Sequence, residues 1–483
     1  MGIDRYPLFI NGAWRESHNG ATFESLDPAT NQPIAEVAQG GKADVDAAVD
    51  AARDAADGKE WGQLDGAGRG RILRRIADLI RERADDLARL ESLDNGKTLK
   101  EARGDVGYVA WTWEYFAGLT DKIEGKTIPV PGARFDYTRI EPLGVTAHIV
   151  PWNYPLVLGS RGIAPALAAG NTAVVKPSSA APLTNLKLAE LAQEAGLPAG
   201  VLNVVPGSGR ETGQAMAGHP GIDSITFTGS VETGRAIMRA AAEHIVPVIL
   251  ELGGKCPNIV LEDADASRAR RGAFRGIFTN AGQMCWAGSR LLLPAAEQDA
   301  FLKEFTAEAE TLVVGPGSNS DSQMGPVVSR AQEEQVLRYI EIGKEEGATL
   351  LAGGEKVKDG VLSRGNFVRP TVFADVTPDM TIAKEEIFGP VLSVLTFEDE
   401  NEAIEIANDT DFGLCAGIWT RDLARAHRMA ARVQAGIVSV NEYPITFPQT
   451  PFGGYKQSGI GREQGLDAVY HYSRVKNVLI NLQ

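Results

Sequence analysis

The sequence feature that most constrains the fold is a repeated alternation of short strand-like runs with alanine-rich helical stretches. Five runs rich in apolar and β-branched residues begin at residue 145: Val145 to Val150, Ala173 to Lys176, Leu202 to Val205, Ser224 to Phe227 and Pro247 to Leu250. Strands separated by helices form a parallel sheet covered on both faces, because parallel neighbours need crossover connections. The pattern therefore predicts an α/β fold whose first half is a doubly wound nucleotide-binding domain.

The chain is also long enough for a second domain. Its 483 residues exceed the roughly 250 to 300 residues at which a single hydrophobic core stops growing. After residue 255 the alternation resumes, with predicted strands at Asn258 to Leu261, Ser289 to Leu293, Val391 to Thr396 and Ile437 to Asn441. We expect this second block to be an α/β domain of its own.

Three segments outside the alternation have distinct patterns. Between residues 69 and 93, apolar side chains recur every three or four positions, which predicts one amphipathic helix that ends at Asn95-Gly96. Thr127 to Glu141 and Val475 to Leu482 have the character of strands without a strand-like neighbour in the sequence. We expect them to pair in an extension of the fold or across a subunit boundary.

The charge balance disfavours several kinds of partner. With 48 Lys and Arg against 63 Asp and Glu, the formal net charge is −15, and such a surface repels nucleic acid and anionic lipid. An uncharged run at 143–160 contains two prolines and a histidine, so it suits a buried loop better than a membrane span. We expect neither nucleic acid nor a membrane as a partner, and the first residues show no export signal or lipid anchor.

Cysteine usage indicates a reducing compartment. Cys256, Cys285 and Cys415 cannot form a disulfide framework, and they lack the paired spacing of a zinc site. We therefore expect a cytoplasmic protein without a bound metal.

Three residues from distant parts of the chain are candidates for catalysis. Cys285 lies in NAGQMCW at 280–286, although a single intracellular cysteine is more often a small core residue. Glu251 ends an otherwise apolar strand, where an acid is costly to bury unless it has a role or a salt bridge. Asn153 lies in the Pro-flanked loop PWNYP at 151–155, where its amide is either a fixed hydrogen-bond donor or a turn former.

These motifs, in this order, closely resemble those of the aldehyde dehydrogenase superfamily. The resemblance also rests on FTGS at 227–230, EEIFGP at 385–390 and PFGGYKQSG at 451–459, and it covers nearly the whole chain. A match to so many long motifs is very unlikely to arise by chance.

The resemblance implies a particular domain organisation. It places a Rossmann-like cofactor-binding domain at 1–122 and 143–254 and a catalytic domain at 255–456. A β oligomerisation arm would comprise 123–142 and 470–483, which include the two strand-like segments. The resemblance thus also implies a homo-oligomer, either a dimer or a tetramer.

The family also implies a mechanism. Cys285, as a thiolate, would attack the aldehyde carbon, and the Asn153 amide with the backbone N–H of Cys285 would stabilise the alkoxide that gives up a hydride. Glu251 would activate the water that hydrolyses the thioester. Because relatives that pass the acyl group to coenzyme A generally lack this glutamate, we expect a hydrolytic enzyme. Acyl transfer to coenzyme A and a non-enzymatic structural role are the alternatives.

The cofactor prediction depends mainly on the family. Glycines at 229 and 234 open a helix after a strand and suit a pyrophosphate, although the spacing is not GxGxxG. The residues that would bind NAD or NADP by family position are Trp152, Lys176, Ser179, Gly209, Gly229, Ser230, Leu252, Glu386 and Phe388. Ser179 stands where strictly NAD-dependent relatives commonly have a glutamate that repels a 2′-phosphate. We expect NADP to serve at least as well as NAD, unless Ser179 is a neutral surface substitution.

Substrate choice is implied by the same comparison of positions. The residues expected to line the aldehyde pocket are Tyr108, Tyr154, Val157, Arg161, Met284, Trp286, Thr446 and Phe452. Arg161 stands where succinic semialdehyde dehydrogenases have arginine, so it either binds the carboxylate of an acid semialdehyde or pairs with an acid of this protein. That subfamily's second carboxylate-binding arginine is replaced by Thr279. A general apolar or aromatic aldehyde is the alternative substrate.

Overall fold

The structure, a computed structural model, describes residues 4–483, and its larger β-sheet, here called the cofactor sheet, has eight strands. The five central strands are parallel. In spatial order they are Leu202–Val204, Thr172–Lys176, Val145–Ile149, Ser224–Thr228 and Val248–Glu251. Helices that connect them are Pro155–Ala168, Leu183–Glu194, Gln214–Ala217 and Val231–Ala242. The predicted doubly wound sheet is confirmed, with all five strands present.

The order of strands reverses in the middle of this sheet. From Val145–Ile149 the chain adds strands in one direction, and Ser224–Thr228 then pairs on the opposite side of that first strand. Open parallel sheets bind ligands outside the carboxyl ends of the strands at such a reversal. The loops that leave these two strands carry Asn153 and Gly229, respectively.

Three antiparallel strands complete the cofactor sheet. Leu8–Ile10 and Ala13–Arg15 extend one edge. At the other edge Gly459–Ile460 pairs with Leu250 and Glu251. A segment close to the end of the chain is therefore fixed beside the predicted general base.

A second sheet of seven strands, here called the catalytic sheet, is built after residue 255. Its strands in spatial order are Thr349–Ala352, Thr371–Ala374, Val391–Phe397, Arg290–Pro294, Pro257–Val260, Cys415–Trp419 and Ile437–Val440. All neighbours are parallel except the first pair. The four predicted strands are present, and three further strands, at 349–352, 371–374 and 415–419, were not predicted.

The prediction of a single helix between residues 69 and 93 is wrong. The segment forms two helices, Gly66–Glu82 and Ala84–Asn95, separated at Arg83. Asp85 and Asp86 lie in the first turn of the second helix, where acidic side chains are favourable. The apolar spacing continues across the break, so periodicity alone did not reveal it. Gly96 ends the second helix in a left-handed conformation, as predicted.

The remaining helices cover the two sheets. They are Lys42–Asp57, Leu99–Ala117, Ala266–Phe278, Gln298–Thr311, Arg330–Glu345, Thr381–Lys384, Glu400–Asn408, Leu423–Arg432 and Gly465–His471. On the helix Leu99–Ala117, Trp113 and Phe116 are fully buried. The indole of Trp113 donates to Oγ of Ser160 on the helix Pro155–Ala168 at 3.0 Å. This contact joins the helical layer to the helix that follows the Asn153 loop.

The two strand-like segments near residues 127 and 475 pair with each other. Arg134–Pro142 pairs along its whole length with Ser473–Asn481 and also contacts Thr127–Ile128. They therefore have a partner within the chain, in an extension of the fold. Val475 and Leu479 stay more than half exposed, so this arm sheet leaves an apolar surface uncovered in one chain.

Two small sheets complete the fold. Asp4–Tyr6, Gln32–Ala38 and Thr22–Asp27 form a three-stranded sheet, and Phe412–Gly413 pairs with Tyr455–Lys456.

Between residues 4 and 483, no helix is both long and apolar enough to cross a membrane. The prediction about export signals concerns the start of the chain, where residues 1–3 lie outside the described part.

Candidate active site

Asn153 and Cys285 lie in the same pocket, a cavity of about 350 Å³. Nδ2 of Asn153 donates to the carbonyl oxygen of Gln283 at 3.1 Å, only two residues before the cysteine. Nδ2 of Asn95 fixes the other loop by donating to the carbonyl of Trp152 at 2.8 Å. The predicted oxyanion donor and the predicted nucleophile are thus held by hydrogen bonds to one another's loops.

A glycine allows the strand that carries Glu251 to approach the nucleophile. A β-carbon at Gly254 would lie 2.1 Å from the carbonyl oxygen of Cys285, a separation that a side chain cannot adopt. Gly253 also has a steric reason, since a β-carbon there would lie 2.3 Å from Oε2 of Glu386. Any larger residue at 254 would displace the cysteine backbone.

Glu251 is almost completely buried, and neither carboxylate oxygen has a hydrogen-bond partner among the described residues. Burial raises the pKa of Glu251 well above its ordinary value, and the nearby Glu463 raises it further, whereas Arg161 lowers it. A carboxyl group in this environment is a stronger base than an exposed glutamate. Its two free oxygens can accept a hydrogen bond from water.

Cys285 is electrostatically linked to the same groups. Burial raises the pKa of its thiol above the ordinary value, and the guanidinium of Arg161 opposes this shift. A raised pKa favours the thiol over the thiolate, so a positive charge or a base nearby is needed to ionise it.

The eight side chains predicted to line an aldehyde pocket all line the cavity that contains Asn153 and Cys285. The complete lining is Gly104, Asp105, Tyr108, Asn153, Tyr154, Val157, Leu158, Arg161, Arg275, Thr279, Met284, Cys285, Trp286, Pro444, Ile445, Thr446, Phe452 and Gln464. The aromatic rings of Trp286 and Phe452 meet edge to face, with centroids 5.7 Å apart. Most of the wall is apolar and suits a small carbon skeleton.

Arg161 already has a carboxylate partner in this protein. Its Nε forms an ion pair with Glu463, and both side chains are almost completely buried. The guanidinium carbon lies 4.2 Å above the ring of Phe452, whose backbone pairs with that of Glu463. The structure thus shows Arg161 paired with an acid of this protein, the second of the two interpretations. Its Nη2 nevertheless has no hydrogen-bond partner within residues 4–483.

One wall of the pocket is polar. Nε2 of Gln464 donates to the hydroxyl of Tyr108 at 2.5 Å, and Oγ1 of Thr446 donates to Oε1 of Gln464 at 2.9 Å. Gln464 is buried and has a positive φ of 65°, a strained conformation for a residue with a β-carbon. The surrounding fold therefore imposes the direction of this amide.

A second cavity, of about 760 Å³, lies at the carboxyl ends of the cofactor-sheet strands. Of the predicted cofactor-binding residues, Trp152, Lys176, Ser179, Gly209 and Gly229 line this cleft. Ser230 is the N-cap of the helix Val231–Ala242. Leu252, Glu386 and Phe388 do not line the cleft itself.

Phe388 contacts a residue of the cleft, and Glu386 contacts the segment that packs against the Cys285 backbone. The ring of Phe388 meets that of Trp152 edge to face at 5.2 Å. Oε1 of Glu386 accepts a hydrogen bond from the backbone N–H of Gly254 at 2.9 Å, and burial raises the pKa of Glu386 to about 7. Both side chains are therefore near the end of the cleft that faces Cys285.

The chemistry of the cleft fits a dinucleotide with phosphate groups. Lys176 is buried, and within the described part of the chain its ammonium makes one hydrogen bond, to the carbonyl of Pro177 at 3.1 Å, so two donors remain. Burial lowers the pKa of Lys176 to about 8, and an anionic ligand would compensate for that cost. A β-carbon at Gly229 would lie 2.5 Å from the ring of Phe227. The absence of a side chain at this position keeps the approach to the helix N-terminus open.

Sequence reasoning missed several residues of these cavities. Arg210 lines the cleft, Arg275 and Gln464 line the pocket, and Glu463 holds Arg161. No local pattern distinguishes them, since their positions depend on contacts between distant segments. For Glu463, the unexplained buried arginine was the available signal. Within the described range, no group of three or more His, Cys, Asp or Glu side chains could hold a metal ion.

Comparisons with known proteins agree with this arrangement. Residues 14–478 match the Aldehyde dehydrogenase family. The chain is 49% identical over 476 residues to a hydroxyisobutyraldehyde dehydrogenase from Mycolicibacterium austroafricanum, with 99% of this chain and 94% of the relative covered. It is 46% identical over 476 residues to a betaine aldehyde dehydrogenase from Bacillus subtilis, with 98% and 97% covered.

Solved structures give the same result. The NAD+ complex of an aldehyde dehydrogenase from Bacillus cereus has a TM-score of 0.98 and 47% sequence identity to this chain, with 99% of this chain and 97% of that chain covered. The predicted α/β fold is confirmed at this level of detail. The chain therefore belongs to the aldehyde dehydrogenase family, and its class of reaction is the NAD(P)-dependent oxidation of an aldehyde.

Proposed function

We propose that Cys285, Asn153 and Glu251 catalyse the hydrolytic oxidation of a small aldehyde to its carboxylic acid. The observation that carries the proposal is the pocket that Cys285 and Asn153 share, with the hydrogen-bond-free carboxylate of Glu251 electrostatically coupled to the thiol. The nicotinamide cofactor, when bound, supplies the hydride acceptor. Acyl transfer to coenzyme A is disfavoured, because relatives that carry it out generally lack a glutamate at the position of Glu251.

Each of the three residues has a defined task. The Cys285 thiol must lose its proton before it adds to the carbonyl carbon. The Asn153 amide has two N–H donors, and only one of them is used, by the carbonyl of Gln283. The second is free to donate to the alkoxide oxygen. Glu251 then accepts a proton from the water that attacks the thioester.

We propose NADP as a cofactor at least as good as NAD. Lys176 has two unused donors, Arg210 lines the same cleft, and Ser179 introduces no carboxylate there. Lys176 and Arg210 would attract a 2′-phosphate, and Glu232 is the one carboxylate among the described residues that line the cleft. Lys176, Ser179, Gly209, Gly229, Ser230, Trp152, Leu252, Glu386 and Phe388 are the proposed cofactor-binding residues.

We propose an uncharged substrate with a short carbon chain, and the polar wall suits one with a hydroxyl group. Two guanidinium groups line the pocket, those of Arg161 and Arg275, and Asp105 supplies the one carboxylate among the lining residues in the described part of the chain. This excess of positive charge disfavours a cationic aldehyde. An acid semialdehyde is the second candidate, because Nη2 of Arg161 is unpaired. The pairing with Glu463 makes it the weaker one, since the arginine does not need a substrate carboxylate for neutralisation.

The assembly and location are proposed on separate grounds. The strand Ile437–Val440 is an edge of the catalytic sheet, and Ser473–Asn481 is an edge of the arm sheet. Uncovered edges with exposed apolar side chains favour pairing with another copy, so we propose a homo-oligomer, with 123–142 and 470–483 as its arm. The domains at 1–122 with 143–254 and at 255–456 remain our proposal, as does a cytoplasmic location for a chain with three free thiols.

Replacing Glu251 with Gln tests the general base. A rapid burst of reduced cofactor should persist, while steady-state turnover falls about 10²-fold or more, because acylation does not need this group and deacylation does. Stopped-flow absorbance at 340 nm separates the two phases. Cys285→Ala is the matched control and should abolish the burst. An unchanged turnover in Glu251→Gln would exclude Glu251 as the base.

The pH dependence tests the electrostatics of the thiol. Since burial raises the pKa of Cys285, kcat/KM should still rise with pH above the ordinary cysteine value of about 8.5. Arg161 opposes that shift, so Arg161→Met should move the rising limb to higher pH. Initial rates measured from about pH 6 to about pH 10, roughly the range in which thiols ionise, give the position of the rising limb in the parent and in the variant. A limb that stays in place in the variant would contradict the assigned influence of Arg161.

Ser179→Glu tests cofactor choice. A carboxylate in the cleft should reduce kcat/KM for NADP at least tenfold, about 1.4 kcal/mol, by repelling the 2′-phosphate. The value for NAD should stay the same or rise. Ser178→Ala, at a neighbouring residue of the same cleft, is the control and should change neither. An unaltered ratio in Ser179→Glu would show that Ser179 does not set the preference.

Matched aldehydes test the charge preference of the pocket. Betaine aldehyde and 3,3-dimethylbutanal have nearly the same shape but differ by one positive charge, and the neutral compound should be preferred at least tenfold in kcat/KM. Arg161→Met should remove most of this difference. Butanal should match or exceed succinic semialdehyde. A semialdehyde preference of tenfold or more would instead establish the acid semialdehyde as the better substrate.

A further inference from the structure

We propose that Glu101 is a positioning residue for the nucleophile, acting through Asn280 on the loop that presents Cys285. The inference rests on the proposed role of Cys285. It concerns a side chain that lies outside the pocket lining and that the reaction itself does not require.

The loop before Cys285 has an unusual backbone. Asn280, Ala281 and Gly282 have φ values of 49°, 52° and 73°, so three consecutive residues are left-handed. Only glycine adopts this conformation without a steric penalty, and two of the three residues carry a β-carbon. Such a segment persists only when its surroundings hold it.

Hydrogen bonds to Asn280 provide that hold. Its backbone N–H donates to Oε1 of Glu101 at 2.7 Å, and its Nδ2 donates to the carbonyl of Asn153 at 2.9 Å. Nε2 of Gln283 donates to the carbonyl of Asn280 at 3.0 Å, and Oε1 of Gln283 accepts from Val328 N–H at 2.8 Å. Glu101 therefore anchors the start of the segment that binds the oxyanion loop.

Glu101 divides its two oxygens between two tasks. Oε2 accepts from the N–H and the hydroxyl of Thr98, at 2.8 and 2.7 Å, and so completes the capping box of the helix Leu99–Ala117. Capping needs only this oxygen. Oε1 reaches a residue 179 positions away in the sequence, which a helix cap alone does not explain.

Loss of the Glu101 bond should let the left-handed residues relax. The carbonyl of Gln283 would then move, and with it both Cys285, two residues later, and the hydrogen bond that Gln283 accepts from Asn153. The position of the nucleophile and that of the oxyanion donor would both change. The alkylation rate of the thiol and kcat/KM should respond together.

Glu101→Ala with Thr98→Ala as control separates the two tasks. Thr98→Ala weakens the cap but keeps the bond from Oε1 to Asn280. We expect both variants to lower the thermal midpoint, but only Glu101→Ala to lower kcat/KM for butanal at least tenfold and to change the rate of Cys285 alkylation by iodoacetamide at least threefold. Equal effects of the two variants on kcat/KM would overturn the proposal.

A second substitution in the loop tests the mechanism directly. Glycine adopts a left-handed conformation without strain, so Ala281→Gly in the Glu101→Ala background should restore kcat/KM at least threefold. A helix cap would not be rescued by a glycine in a distant loop. If Glu101→Ala does not fold, Glu101→Met, whose side chain has no oxygen to accept from Asn280, is taken through the same cycle. No rescue in either background would contradict the proposal.

Cys285→Ala distinguishes the two levels of inference. If Cys285→Ala still oxidises butanal, the proposed function fails whatever Glu101 does. If Cys285→Ala is inactive and Glu101→Ala keeps kcat/KM within twofold of the parent, only the positioning role of Glu101 fails.

Discussion

The parallel pairing of Val145–Ile149 with Ser224–Thr228 is the constraint on which the rest of the structure depends. Because the strand order reverses between them, the loops that follow these two strands diverge and leave a crevice at their carboxyl ends. One loop supplies Asn153, and the other supplies Gly229 and the helix N-terminus. The oxyanion donor and the phosphate-binding region therefore have positions set by backbone hydrogen bonds, before any side chain in either cavity contributes.

Sequence analysis predicted the strands and the loops that follow them well, because strands and motifs are local signals. It identified nine strands of the two large sheets. The eight side chains that the family resemblance assigned to an aldehyde pocket lie together around one cavity. It failed where information is not local. The break at Arg83 preserves the apolar spacing, and Glu463 becomes relevant only because a distant segment places it against Arg161. The strained φ of Gln464 likewise follows from tertiary contacts, with no glycine to signal it.

The charges inside the site depend on each other. Glu251 and Glu463 are both buried, which raises the pKa of each, and Glu463 raises that of Glu251 further. The guanidinium of Arg161 lowers the pKa of both. The same guanidinium opposes the rise in the pKa of Cys285. A single arginine thus affects the nucleophile, the base and the charge that a substrate meets in the pocket. Arg161 could be noticed from the sequence, but its partner Glu463 could not, since only the folded chain defines which acid neutralises the arginine.

Buried charged groups in this protein differ in how completely they are hydrogen-bonded. Arg290 donates to the carbonyls of Lys255, Ile406 and Ala407 at 2.8 to 2.9 Å and has a purely structural environment. Glu251 and Arg161 keep free atoms. Incomplete bonding alone does not define a functional group, because Nζ of Lys255 is also unpaired and lies outside both large cavities. Arg161 differs from Lys255 because it lines the pocket, where a substrate group can supply the missing partner and recover part of the cost of burial. Glu251 lines neither cavity, and what distinguishes it is its electrostatic influence on the thiol of Cys285.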